Sequence, residues 1–209
     1  MLLGPPASGK GTQAELIEQK FGIPATSTGA ILRREARAKT PLGLQVHGII
    51  SRGELAPDIL VLQLVSAWLD RLEDGFVFDG FPRTITQAEA LDALLEERRK
   101  PLQLAIFLQV TEQTIFERMR RRLTCRTCGK VVSIGIHVRS QTDPCPNCGG
   151  VLELREDDRA DVLRQRLAEY LEKTSPVAKY YDKRSLLRPI NGDRSAEVVF
   201  REIGEAIAT

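Results

Sequence analysis

Residues 4 to 12, Gly4-Pro5-Pro6-Ala7-Ser8-Gly9-Lys10-Gly11-Thr12, lie between a short apolar pair, Leu2-Leu3, and a helical pattern from Gly9 to Lys20 whose buried side is Ala14, Leu16, Ile17 and Phe21. Strand, glycine-rich loop and helix in that order form the context in which a loop wraps a phosphate. Glycines let the backbone approach closely, successive N–H groups and the positive helix end face the anion, and Lys10 adds a point charge for the outer phosphates. The stretch departs from G-x-x-x-x-G-K-[ST] at one place: Gly11 stands where a hydroxyl usually ligates Mg²⁺, and Thr12 comes one residue later. A Gly/Pro-rich turn with an incidental lysine is the competing reading, and the flanking strand and helix weigh against it.

Outward from this loop, short apolar runs alternate with longer helical patterns, which predicts a parallel α/β sheet. Strands are expected at Leu2-Leu3, Phe76 to Asp79, Leu104 to Val110 and Leu186 to Asn191. Residues 27 to 56 read as two short helices interrupted by Pro41 and Gly43 and closed by Gly53. Pro57-Asp58 opens a helix with Ile59, Leu62, Val65, Trp68 and Leu69 on its apolar side. Thr86-x-x-Glu89 reads as a capping box. A helix from about Thr111 ends in Arg120-Arg121-Arg122, another near Asp157 carries Leu163, Leu167 and Leu171 on one face, and residues 196 to 207 close the chain as an amphipathic helix.

At 209 residues and 42% apolar, the chain has the material for one core carrying small insertions. Its formal net charge of +2 points to neither a nucleic-acid nor a membrane partner, and no run of about 18 apolar residues predicts a span. The motif begins at the fourth residue, so no signal peptide is expected and the cytoplasm is the expected location. In that reducing compartment four cysteines point to metal before disulfides.

Those cysteines form two pairs, Cys125-x₂-Cys128 and Cys145-x₂-Cys148, separated by sixteen residues within a stretch, 125 to 154, that lacks helical periodicity. This is zinc-ribbon spacing. Gly129 and Gly149 suit the knuckles, and four thiolates close a tetrahedral, structural site, although a Cys₄ set suits iron as well as zinc. Zinc here is expected to stiffen a unit too small to own a core.

G-x-x-x-x-G-K-G-T resembles the nucleoside monophosphate kinases, and the rest of the chain resembles adenylate kinase in particular. Ser27-Thr28-Gly29 followed by Arg33 is similar to the start of that family's AMP-binding subdomain. Asp79-Gly80-Phe81-Pro82-Arg83-Thr84 followed by Gln87 is similar to its D-G-F-P-R-T-x-x-Q signature, and Arg155-x-Asp157-Asp158 followed by Arg166 to its R-x-D-D segment. The resemblance implies a three-layer α/β/α P-loop core with about five parallel strands (residues 1–26, 57–121 and 159–209), a helical AMP-binding insertion (27–56) and a zinc-ribbon lid (122–158). It implies a monomer that moves the terminal phosphoryl group of ATP to AMP, giving two ADP, with Mg²⁺ and structural Zn²⁺.

By the same resemblance, Ala7, Ser8, Gly9, Lys10, Gly11 and Thr12 hold ATP, with Val131, Val132 and the backbone of Arg194 also near it. Arg33 and Arg83 hold the AMP phosphate, and Arg122, Arg155 and Arg166 close over the transferring group. Thr28 and Gln87 meet the AMP base, while Gly29, Gly80, Phe81 and Pro82 and the backbone of Glu54, Leu55 and Ala56 line its pocket. Phe81-Pro82 is implied to be a cis bond. Separated arginines suit such a site, because guanidinium grips phosphate in a planar fork. Arg118 and Arg120 are explained more simply by placement at a helix end, though Arg118 occupies a position where the family keeps an ATP contact. Asp79 is assigned to Mg²⁺ through water, because Gly11 supplies no ligand. No general base is required, since the AMP phosphate is already an anionic nucleophile.

Three positions depart from the family: Ala7 replaces glycine, Ala30 aspartate and Val132 an aromatic. If position 7 needs positive φ, alanine costs about 1–2 kcal/mol there, and Ala7→Gly is expected to stabilise the loop or tighten ATP binding. A UMP or CMP kinase and a non-catalytic nucleotide-binding module with a nucleic-acid ribbon are the alternatives. Thr28 and Gln87 argue against the first, and near-neutral charge with a full arginine set argues against the second.

Overall fold

The computed structural model describes residues 1–155 and 158–208. In chain order the elements are β1 (Leu2–Leu3), α1 (Lys10–Phe21), β2 (Ala25–Ser27), α2 (Thr28–Ala38), α3 (Pro41–Ser51), α4 (Asp58–Leu69), β3 (Val77–Asp79), α5 (Ile85–Glu97), β4 (Ala105–Gln109) and α6 (Glu112–Arg121). Then follow β5 (Arg122–Cys125), β6 (Val131–Ser133), β7 (Leu152–Glu153), α7 (Ala160–Glu169), a π-turn (Tyr170–Thr174), α8 (Ser175–Asp182), β8 (Leu187–Asn191) and α9 (Ala196–Ala208).

Five strands make one parallel sheet in the order β2-β3-β1-β4-β8. The two-residue β1 sits at its centre. Leu2 pairs with Asp79 on one side and Ile106 on the other, and both leucines are buried. The pleat divides the core. Leu2, Val77, Ile106, Leu108 and Ile190 pack against Ala14 and Ile17 of α1 and Val199 and Ile203 of α9. Leu3, Phe78 and Ala105 pack on the other face with residues of α2 to α5 and α8, among them Val65, Leu91 and Tyr181. This is the three-layer α/β/α arrangement, and every strand delivers its C-terminal end to the edge where ligands bind in open parallel sheets.

Several local expectations change. Ala25–Ser27 is a strand, only three residues long and half-buried, too short for alternation to reveal. Pro41 opens α3 rather than interrupting it, with Thr40 as its cap. Gly43 is required by close approach: a Cβ there would lie 2.0 Å from the Glu35 carbonyl oxygen of α2. On α4 the buried row is Val61, Val65 and Leu69, and Ile59 faces solvent. Phe21 is 43% exposed and lies at a tilt against Phe200 of α9. The cap of α5 is Thr84, whose hydroxyl accepts from Gln87 N at 3.1 Å, and not Thr86; the Gln87 side chain reaches back one residue further, to Arg83 N. Leu163 is buried, but the wider turn from Tyr170 rotates Leu171 out to solvent.

Between α6 and α7 the chain makes a small antiparallel sheet, β6-β5-β7. This unit owns a miniature core, contrary to expectation: Leu123, Val132, Val138 and Leu152 pack with Cys125 and Cys145. The unit touches both neighbouring regions. Arg37 of α2 donates to the Cys125 carbonyl and pairs with Glu153 at 3.6 Å, and Lys130 pairs with Glu15 of α1. Among the described residues, no helix is long and apolar enough to cross a membrane.

Candidate active site

The loop after β1 is closed by backbone geometry that glycine alone tolerates at its first position. Gly4 has φ +143, and a Cβ there would lie 2.7 Å from Leu108 O. Gly9, at φ +100, turns the chain into α1. Lys10 folds back under the loop and donates to Gly4 O (2.9 Å), Pro5 O (2.7 Å) and Ser8 Oγ (3.3 Å). Burial pulls its pKa down to about 7; the Asp79 carboxylate opposes this, while Arg83, Arg166 and Arg122 add to it. A Cβ on Gly80 would lie 3.4 Å from Lys10 Cε and 3.5 Å from Arg83 Nη2, so the loop lysine and this arginine share one space.

Ala7 has φ +58, so its position does require the left-handed region. Its methyl packs against the cluster of Ile115 and Met119 of α6 with Leu163 of α7, a compensation that the local sequence does not announce. Arg118 does more than complement a helix end. It donates to Ala7 O (3.4 Å), Ser8 O (3.1 Å) and Gly192 O (2.7 Å), bracing the loop against the β8–α9 turn. Burial lowers its pKa against the pull of Asp193. Asp79 ends β3 beside the loop: a Cβ on Gly11 would come within 3.3 Å of its Oδ2.

Next to the loop, a cleft with about 540 Å³ of free space, its open mouth included, is bounded by Thr28, Gly29, Arg33, Arg83, Gln87 and Arg166. Glu54, Leu55 and Ala56 also line it. Gly29 is where two arginines converge, since a Cβ there would meet Arg33 Nη1 at 3.0 Å and Arg83 Nη2 at 3.2 Å. At Gly53 a Cβ would meet Arg166 Cγ at 2.7 Å, so the bare backbone lets α7 approach the cleft. The Phe81-Pro82 bond is cis, as the resemblance implied, and Arg83 Nε donates to Gly80 O at 2.8 Å. Gln87 is held at both ends: its Oε1 accepts from Arg83 N and its Nε2 donates to Asp58 Oδ1, each at 2.7 Å.

A buried carboxylate gathers the remaining arginines. Asp158 accepts from Arg122 Nε (2.7 Å) and Arg166 Nη1 (2.6 Å), and Arg155 Nε lies 3.7 Å away. Burial pushes the Asp158 carboxyl up, but the guanidinia of Arg122 and Arg155, then Arg166, outweigh it and hold it below the usual range. Two anionic oxygens thus stand where phosphate oxygens would suit the same forks. Asp158 was legible only as part of a motif, and Asp58 only as a first-turn acid. Asp157 of that motif lies outside the described residues.

Other expected positions are less central. Val131 is exposed, while the Val132 side chain is buried in the small core of the β5–β7 unit and leaves only its backbone for a ligand. Arg194 pairs with Glu202 on the surface.

In that unit the four sulfurs lie within 4.8 Å of one another, with Cys125–Cys148 at 3.5 Å and Cys128–Cys145 at 3.8 Å. A tetrahedron with Zn–S bonds of about 2.3 Å has edges of about 3.8 Å, so the cluster fits zinc. The Lys130 backbone N–H leads the effects that pull the Cys128 thiol down, whereas the Cys148 thiol, despite the Gly150 backbone N–H, is pushed up by the Cys128 and Cys125 sulfurs beside it.

Comparison with known proteins agrees along the whole chain. The family model for adenylate kinase matches residues 2–186. The chain is 40% identical to an adenylate kinase of Thermodesulfovibrio yellowstonii over 97% of its own length and 95% of the relative's. It is likewise 40% identical to one of Archaeoglobus fulgidus, over 99% and 96%, and 39% identical to one of Thermosipho melanesiensis, over 97% and 96%. With a phosphate loop, an arginine-lined cleft and a four-cysteine lid in one continuous match, the chain belongs to the adenylate kinase family of ATP:AMP phosphotransferases.

Proposed function

We propose that ATP lies along the Gly4–Thr12 loop and AMP in the adjoining cleft, with their phosphates meeting at Lys10, Arg83, Arg122, Arg155 and Arg166. The observation that carries this reading is the meeting of loop and cleft at Gly80, where a Cβ would lie 3.4 Å from Lys10 Cε and 3.5 Å from Arg83 Nη2, with Arg33 and Arg166 lining the same cleft as Arg83. Phosphoryl transfer asks the protein mainly for alignment, charge neutralisation and exclusion of water. The backbone amides of Ala7 to Thr12 and the start of α1 hold the ATP phosphates, and Arg118 keeps that loop in shape. Arg33 and Arg83 grip the AMP phosphate. One of its oxygens attacks the terminal phosphorus of ATP. The new P–O bond forms as the bond to the β-phosphate oxygen breaks, and the electron pair leaves with ADP. Arg122, Arg155 and Arg166 exchange the Asp158 carboxylate for the transferring oxygens.

Asp79 would hold the Mg²⁺ that accompanies ATP, through water, and the ion would supply further charge neutralisation. Zn²⁺ in the cysteine cluster is structural. Contacts of the lid with α1 and α2 support a closed cover that keeps water from competing as acceptor. We further assign residues 27–56 to the AMP-binding flap and 122–158 to the lid, in a cytoplasmic monomer acting on ATP, AMP and ADP. A coupled assay for ADP made from ATP plus AMP with Mg²⁺ tests the reading, with UMP, CMP and GMP as alternative acceptors. Absence of ADP, or turnover faster with a pyrimidine monophosphate, overturns it.

A further inference from the structure

Gln87 is buried, lines the AMP cleft and belongs to a hydrogen-bonded set that spans two helix starts. Its Oε1 faces the backbone N–H of Arg83 at 2.7 Å, and its Nε2 faces Asp58 Oδ1 at 2.7 Å. The second oxygen of Asp58 accepts from Thr84 Oγ1 at 2.9 Å. Thr84 in turn caps α5 by accepting from Gln87 N. Asp58 therefore stands at the head of α4, 29 positions before Gln87 in the chain, and is anchored from α5 before it touches the amide.

The chemistry of the two neighbours leaves the amide one orientation. A backbone N–H only donates and a carboxylate only accepts. Turning the amide by 180° would set Oε1 against Asp58 Oδ1 and Nε2 against the Arg83 N–H, breaking two buried hydrogen bonds and opposing like partners in both places. An amide with two donors and two acceptor positions then keeps one N–H and one lone pair, on known atoms, for a ligand. A carboxamide free to turn would serve adenine and hypoxanthine equally. Adenine offers an acceptor at N1 and a donor at C6, and hypoxanthine offers a donor at N1 and an acceptor at C6 in a ring of the same shape.

We infer that Asp58 is a specificity-determining positioning residue: by fixing the direction of the Gln87 amide it makes the acceptor site read a 6-amino purine and reject a 6-oxo purine. The inference rests on the proposed placement of the AMP base against Gln87. Asp58 touches no substrate and acts through Gln87. An asparagine side chain in its place presents either an acceptor or a donor, so the direction of the Gln87 amide would then rest on the Arg83 N–H alone.

The test compares AMP with IMP as acceptor, since the two differ only in the groups at C6 and N1. For Asp58→Asn, the ratio of kcat/KM for AMP over IMP should fall by about tenfold, carried by KM, with kcat for AMP nearly unchanged and the melting temperature checked alongside. Asp58→Ala, which leaves the amide with no directing carboxylate, should move the ratio in the same direction and covers the case in which Asp58→Asn folds poorly. Gln87→Ala is the third arm. If Gln87→Ala collapses the ratio and neither Asp58 variant changes it, the inference is overturned and the site reading stands. If Gln87→Ala leaves the ratio as it was, Gln87 does not read the base, and both fall together. A loss of kcat shared equally by AMP and IMP in the Asp58 variants would show a merely structural tie between α4 and α5 and also overturns the inference.

Discussion

The state of Lys10 before nucleotide arrives makes a quantitative prediction about protons. Burial sets its pKa near 7 in the free protein, whereas the unfolded value is 10.5. At pH 8 a group of pKa near 7 is about one-tenth charged, and a polyphosphate beside it should restore nearly full charge, so binding an ATP analogue takes up about 0.9 proton. Affinity should correspondingly weaken by about tenfold for each pH unit above 7, until the bound-state pKa is reached.

Titration calorimetry at pH 8 in buffers of different ionisation enthalpy measures the uptake directly. At that pH the nucleotide's own phosphates are already ionised, so the proton is the lysine's. Lys10→Arg, whose guanidinium stays charged, should take up none. The three oxygens that Lys10 contacts in the loop pull the other way, because they stabilise the ammonium. Uptake below about 0.2 proton at pH 8 would mean that these contacts outweigh burial, and the reasoning fails. The sign extends to folding. Between pH 7 and 10.5 the native protein binds fewer protons at this site than the unfolded chain, so the contribution of Lys10 to stability rises with pH across that window.

Ala7→Gly should shift the melting temperature by no more than about 2 °C. Relief of the left-handed alanine is worth about 1–2 kcal/mol, but the lost methyl packing and the looser unfolded chain take back a similar amount. A gain above about 5 °C in a thermal melt would show that strain dominates, as the sequence alone suggested. Asp158→Ala removes the carboxylate among Arg122, Arg155 and Arg166 and should cost about 3–5 kcal/mol, near 10 °C in melting temperature. ATP should recover more of that loss than it adds to the unmutated protein, and a melt within about 2 °C of the parent contradicts the account. Chelation of the metal should melt the lid first, because Cys125 and Cys145 are part of its small core. A metal-free preparation with an unchanged melting curve would refute a structural metal.

How much of this was visible beforehand depended on distance along the chain. The loop from Gly4 to Thr12, the two Cys-x₂-Cys pairs and the Asp79 to Gln87 signature are each read within a short stretch of chain, at most the 24 residues from Cys125 to Cys148, where local backbone geometry and local chemistry coincide. β2 escaped because three half-buried residues carry no period. Leu171 was misplaced because a helical pattern assumes a constant turn, and the π-turn breaks it. The methyl of Ala7 meets Ile115, Met119 and Leu163 more than a hundred positions away, which is why its cost could be foreseen and its compensation could not.

By itself the sequence determined that a phosphate-wrapping strand–loop–helix, a parallel α/β sheet, a four-thiol knuckle pair and a set of separated arginines occur in one chain. Only the tertiary structure decided that Asp158 holds Arg122, Arg155 and Arg166 together, that Asp58 orients Gln87 and that Arg118 braces the phosphate loop. Residue type and spacing dictate which bonds a segment forms with itself. A carboxylate's partners many residues away follow from where the sheet order and the helix packing bring their elements, and no periodicity records that.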